Sequence, residues 1–278
     1  GCGIIVVFGV WDDRVDLGYR TKLVGQLLAA LAVVLGGDIW FTTLPFLPDL
    51  EVPVWGGMLV TVIFLIGVSN AVNLTDGLDG LAGGLSFLTL SGIAYLAYLS
   101  GDSTILVLTV PFLGAILGFL RYNTYPAQVF MGDTGSLAIG GTLGTIAVLV
   151  HQPFVLPIAG GVFVAEALSV MLQVGWFKYT RLRFGAGRRV FRMSPLHHHF
   201  RELGWAESKI VTRFYIVSLL CAVVALSTLK LSSPALLGSL APTTAANLAS
   251  GVTGFMNLSL AAFFSATKNL LTVDGTVD

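Results

Sequence analysis

The chain has 278 residues, 55% of them hydrophobic and only 11% charged, with a mean hydropathy of +0.86 and no net formal charge. That composition is too apolar for an ordinary soluble domain, and no nucleic-acid partner is expected of it.

The chain opens on GCGIIVVFGVW, an apolar stretch of eleven residues that covers only about half of a bilayer core at about 1.5 Å per residue. It lacks the charged start and cleavage site of a signal peptide, so the expectation is that the chain begins inside a helix and that upstream helices are missing. Apolar runs follow at 22–36, 56–72, 82–99, 104–120, 135–150, 154–176 and 210–229. Most approach the roughly 20 residues that cross a bilayer as a helix. The predicted fold is therefore all-α, a polytopic transmembrane helical bundle of about eight spans or partial spans. Cys2 and Cys221 both fall in apolar runs and read as isolated buried thiols, with no disulfide framework.

Residues 1–231 read as the integral-membrane core. From 232 to 278 the chain turns into a low-complexity tail rich in Ala, Ser, Thr and Gly. Its apolar part, Leu248 to Leu271, is broken by Asn257, Ser259, Ser265 and Lys268, and no function attaches to it.

Charge is unevenly placed. Nine of the 15 Lys and Arg residues lie between Lys178 and Arg213. If the runs alternate across the membrane, the connections at 12–21, 73–81, 121–134 and 177–209 share one side with those cations and with Arg14, Arg20, Lys22 and Arg121. The opposite connections, 37–54, 100–103 and 151–153, hold no Lys or Arg. Cationic loops stay in the cytoplasm, so the first set is predicted to be cytoplasmic.

The polar clusters fall in that same set. At a helix centre an Asp costs about 2.5 to 3.5 kcal/mol on insertion scales, so Asp76 and Asp79 of NAVNLTDGLDGL belong at the surface or in a wet cavity. The alternative for that stretch is a helix end followed by an Asp or Thr cap. Asp12 and Asp13 are adjacent carboxylates that repel unless a cation or metal holds both ionised. In GDTGS, Asp133 precedes an apolar run; such a helix start can bind anions through free N–H groups, and Asp133 can bind a hard cation or simply cap the helix. His197, His198 and His199 sit in the basic loop, where adjacent side chains cannot easily converge on one zinc ion. Five aspartates in one pocket would repel strongly without Mg²⁺, which bridges one or two carboxylates and substrate phosphates. These features predict an Mg²⁺-dependent enzyme handling phosphates at the cytoplasmic face, with a lipid phosphate as one substrate. A transporter would hold its acids near the bilayer midplane, whereas these cluster at helix ends on one face. A binding-only scaffold would be indifferent to Asp12→Asn.

Four stretches then identify a resemblance: NAVNLTDGLDGLAGG at 70–84, YNTYPAQVFMGDTGSLAIGG at 122–141, EALSVMLQ at 166–173 and RMSPLHHHFRELGWAESKIVTRF at 192–214. From about residue 5 to 231 the chain resembles the phospho-N-acetylmuramoyl-pentapeptide transferases of the polyprenyl-phosphate N-acetylhexosamine-1-phosphate transferase superfamily. The resemblance implies transfer of phospho-MurNAc-pentapeptide from its UDP carrier to undecaprenyl phosphate, giving lipid I and UMP, in the bacterial inner membrane. It implies that Asp12 deprotonates the lipid phosphate or, in a rival scheme, attacks as a nucleophile. Asp133 matches the Mg²⁺ ligand, and Asp13 and Asp76 match residues lining the metal and diphosphate site, with Asp76 as a second ligand. Asn73, Gly77, Leu78, Asp79, Asn123, Phe130 and Gln173 match substrate-binding positions, with Phe130 expected to stack on uracil and Asp79 to hydrogen-bond it. The triple-histidine loop helps bind the sugar nucleotide, His198 being placed among the catalytic residues. Family members are often dimeric.

The stretch DDRVDLGYRTKLVGQ departs from the pattern: position 16 is an acid where the family usually carries a basic residue. With RYN at 121–123 it resembles enzymes that load GlcNAc-1-phosphate onto polyprenyl phosphate, whereas the histidines and GWAESKIVTRF favour the muramoyl enzyme.

Overall fold

A computed structural model of the chain describes residues 1–44, 47–99, 101–150 and 155–232; the tail read from the sequence at 233–278 and the connection at 151–153 lie outside them. Gly1–Ser227 forms one compact unit, and of the second, Thr228–Asp278, only the continuation of a helix to Ser232 is described.

The elements follow the apolar runs closely except at 154–176, which divides into a short helix over 155–159 and a longer one over 161–184 that enters the connection predicted at 177–209. They are α1 (Cys2–Val15), α2 (Tyr19–Gly37), β1 (Thr43–Leu44), β2 (Leu47–Glu51), α3 (Val54–Thr75), α4 (Leu81–Leu99) and α5 (Ser103–Asn123). Then come α6 (Gly132–Leu149), α7 (Val155–Ala159), α8 (Gly161–Phe184), α9 (Leu196–Glu202) and α10 (Glu207–Ser232). The all-α, multi-pass reading holds, with one small addition: β1 and β2 pair antiparallel as a hairpin in the connection before α3. Six described helices, α2, α3, α4, α5, α8 and α10, are long and apolar enough to cross a membrane. Of these α4 is mostly buried among its neighbours. The others turn outward faces such as Val107, Val110 and Leu117 of α5, as lipid-facing helices do.

Packing is closest where small residues allow it. A Cβ on Gly140 of α6 would stand 2.6 Å from Ser69 Cα of α3, and Ser69 Oγ donates to Leu137 O at 3.1 Å. Gly9 does the same for α1 against Thr134, at 2.6 Å from its Cα, so the end of α1 lies over the start of α6. Between α2 and α3 the amides of Gln26 and Asn70 donate to each other at 3.2 and 2.7 Å. Such pairs satisfy polar groups that lipid cannot. The expectation of buried thiols is corrected: Cys2 is exposed and Cys221 half-buried, because the outer faces of these helices are themselves apolar and a run of hydrophobic residues does not reveal which side is covered.

Candidate active site

The ends of α1, α3 and α5 and the starts of α2, α4 and α6 meet at one end of the unit. Each side chain of the site is set by one of those termini. Asp12 is buried at the last turn of α1, where its Oδ1 accepts from Leu17 N at 2.7 Å. Its Oδ2 lies 2.5 Å from Lys22 Nζ, near the start of α2. The same ammonium donates to Asp133 Oδ2 at 2.8 Å. Asp133, in the first turn of α6, accepts at Oδ1 from Asn73 Nδ2 at 2.8 Å, and that amide also reaches Ser136 Oγ at 2.9 Å. Three helices thus hold two carboxylates on one lysine, with Asn73 fixing the orientation of Asp133.

Asp13 stands differently from what its pairing with Asp12 implies. Its carboxylate accepts from Asp133 N at 2.8 Å, Thr134 N at 3.1 Å and Thr134 Oγ1 at 2.5 Å. It therefore caps α6 from another helix, and the free N–H groups expected to bind a substrate anion are already satisfied by an anion of the chain. Gly132 makes room for this: its φ is +61°, and a Cβ there would stand 2.8 Å from Asp13 Oδ2. Asp133, conversely, does not cap its own helix; Met131 holds the N-cap position without a side-chain hydrogen bond.

Asp76 ends α3, and its carboxylate accepts no hydrogen bond among the described residues. Burial, then the charges of Asp133 and Asp13, push its pKa up to about 6. Among the described residues Lys22 answers Asp12 and Asp133, and Asp76 has no cation paired with it, so the cluster is short of positive charge. Among the described residues no three His, Cys, Asp or Glu side chains converge as a metal cage. A hard divalent cation needs only one or two carboxylates when phosphates and waters supply the rest, so Asp133 and Asp76 suit Mg²⁺.

The turn after Asp76 is stitched to the loop after α5. Asp79 Oδ2 accepts from Ala127 N at 2.9 Å. Buried Asn123 accepts from Gly80 N at 3.2 Å and donates to Val129 O at 2.9 Å. Tyr215 of α10 donates to Gly80 O at 2.7 Å, its ring lying where Gly84 has no Cβ. Leu78 is buried beneath the turn, whereas Phe130 stands 75% exposed at the rim. The residues matched to a nucleotide pocket are therefore gathered in one place, but Asn123 acts as a brace within it and Phe130 is the one that offers an open face.

The basic loop reaches this site through His197. Its imidazole is fully buried, with the Nε2 edge filling the space where a Cβ of Gly77 would be. His198 lies against it, ring centroids 4.2 Å apart, and burial above all pushes the His198 pKa below its usual range. His199 turns away and accepts from Arg192 N at 3.2 Å. The three histidines thus point to three environments, as adjacent helical residues must. Gln173 braces the start of the basic loop: its Oε1 accepts from Val190 N and Phe191 N, and its Nε2 donates to Phe191 O, all at 3.0 Å, which leaves the second N–H of the amide for a ligand.

Lys22, Ser136, Tyr215 and Glu166 are missed by the sequence reading. From sequence Lys22 reads only as one more cation on the positive-inside face. Glu166 carried a usable signal, being the sole acid in the apolar run 154–176, where an ionisable residue is costly. Residues 1–151 match the family model described as glycosyl transferase family 4. The match takes in the acidic cluster and the stitched turn; the histidine loop lies beyond it.

Proposed function

The chain belongs to glycosyl transferase family 4, whose model spans more than half of it and supports a polyprenyl-phosphate sugar-phosphate transferase, and from that premise we propose that it forms lipid I. The donor is UDP-MurNAc-pentapeptide, the acceptor undecaprenyl phosphate and the second product UMP. An acceptor phosphate oxygen attacks the sugar-bearing phosphorus, the bridging P–O bond breaks, and UMP leaves. The observation that carries the reading is the meeting of Asp12 and Asp133 on one lysine, with Asp76 within the field of Asp133 at the same end of the helices.

In this reading Asp133 and Asp76 would hold Mg²⁺, which would neutralise charge on the diphosphate. Asp12 receives the acceptor's proton once Lys22 turns from it to the incoming phosphate. Asp13 keeps the start of α6, and with it Asp133, in place. Phe130 stacks on uracil, Asp79 and the Gly77–Leu78 turn frame the base, and His198 and His199 approach the sugar nucleotide. The protein works in the bacterial cytoplasmic membrane with this end facing the cytoplasm, where its basic loops also lie.

A second reading, UDP-GlcNAc as donor, is favoured by the acid at position 16, which ends α1 with φ +54° and donates its N–H to Asp12 O. Mg²⁺-dependent UMP release, measured on membranes with undecaprenyl phosphate and each donor in parallel, separates them. Preference for UDP-GlcNAc overturns the muramoyl assignment, and no metal-dependent release with either donor overturns the reaction.

A further inference from the structure

Glu166 lies in the first half of α8, fully buried among apolar neighbours. An unpaired carboxylate is costly there, so its partners are informative. Oε2 accepts from Leu196 N at 2.7 Å and Oε1 from His197 N at 3.2 Å, the first two residues of α9. Oε1 also lies 3.3 Å from His197 Nδ1, a charge-pair distance without a hydrogen bond. Among the described residues His197 Nε2 has no hydrogen-bond partner, and it faces Gly77, the residue after Asp76.

We infer that Glu166 is a positioning residue that docks α9 by its backbone and fixes the His197 imidazole with the proton on Nδ1, presenting an unprotonated Nε2 to the Gly77 turn of the acidic site. Three facts bear on this. Two backbone donors already hold the carboxylate in place, so the third approach, to Nδ1, is set by the fold and not by side-chain freedom. The negative oxygen 3.3 Å from Nδ1 favours a proton on the ring nitrogen that faces it, which selects the Nδ1–H tautomer by charge and not through a hydrogen bond. Finally, the absent Cβ of Gly77 is what lets the imidazole sit there, since Nε2, Cε1 and Cδ2 would all crowd one. Glu166 thereby links the basic loop, which lies outside the family match, to the carboxylate cluster inside it.

The test is ¹⁵N NMR of the full chain with labelled histidine, His197 being assigned by its loss in His197→Asn. Nδ1 is expected to appear protonated and Nε2 unprotonated in the native protein; the opposite tautomer there overturns the inference with no variant involved. In Glu166→Gln one oxygen is replaced by a donor, so the His197 resonances should move toward the Nε2–H form. Unchanged resonances overturn the positioning role. A second arm rests on the reaction proposed above. Glu166→Gln should lower the turnover of UMP release about tenfold or more, as losing a partner that orients a histidine commonly does. Glu166→Gln combined with His197→Asn should be no worse than His197→Asn alone. Multiplying losses would show that Glu166 acts elsewhere and sink the coupling. Absence of UMP release in the native protein would instead count against the proposed reaction and leave the tautomer result standing.

Discussion

Lys22 Nζ lies 2.8 Å from Asp133 Oδ2 across 111 residues of chain, and the same ammonium closes on Asp12 at 2.5 Å. A lone cation between two carboxylates holds α1, α2 and α6 together where their ends meet. Replacing it with an apolar residue leaves the acids facing each other. Lys22→Met should cost about 1 kcal/mol of stability, the modest figure reflecting a side chain still 31% exposed. It should also lower turnover at least tenfold. Excess Mg²⁺ should recover much of the lost thermal stability, because a divalent cation relieves the same repulsion. Thermal unfolding with and without Mg²⁺ checks this; a variant as stable as the native protein without Mg²⁺ would refute the bridging role.

The cap supplied by Asp13 is testable apart from chemistry. Asp13→Ala removes the acceptor for two backbone N–H groups and the Thr134 hydroxyl. A loss of about 1 to 2 kcal/mol is expected, the range for a good N-cap carrying a charge. Asp13→Asn should lose less, since its amide oxygen still accepts. Thr134→Val should lose least. Denaturant titration ranks the three, and a reversed order would show that Asp13 is not the cap.

The raised pKa of Asp76, about 6 against 3.8 for a free side chain, sets the sign of a pH effect. Ionising Asp76 is harder in the folded protein than in the unfolded one. Its contribution to stability is therefore fully present below pH 3.8 and is lost as pH rises through about 6, amounting to at most about 3 kcal/mol. In chelator, Asp76→Asn should flatten that part of the curve between about pH 4 and about pH 7. Mg²⁺ competes with the proton, so its stabilising effect should grow as pH rises through about 6 in the native protein and not in the variant. A magnesium effect independent of pH, seen in thermal shifts, would remove Asp76 from the metal site.

Phe130 is 75% exposed, so truncating it should leave the fold nearly untouched. Stacking a base on an aromatic ring is worth about 1 to 3 kcal/mol. Phe130→Ala should raise the donor KM by about five- to 150-fold with an unchanged melting temperature. An unchanged KM would show that the nucleotide binds elsewhere.

The spans were legible because their signal is local. Twenty apolar residues need the same solvent whatever surrounds them, and most predicted runs sit within a few residues of a helix; the run at 154–176 instead spans α7 and the first part of α8, which continues to Phe184. Their shared end was legible too, through the one-sided cations. Asp12, Asp76 and Asp133 could be gathered from sequence because charge in such a chain has few places to go. What each does was decided only by tertiary structure. Asp12 and Asp13 are neighbours with the same chemistry, yet a helical step turns one toward Lys22 and the other onto the N-terminus of α6. Lys22, Gln173 and Glu166 took their roles from partners 111, 17 and 30 residues away. Composition fixes which groups must avoid lipid; which group answers which depends on the close approaches that Gly9, Gly77 and Gly132 permit.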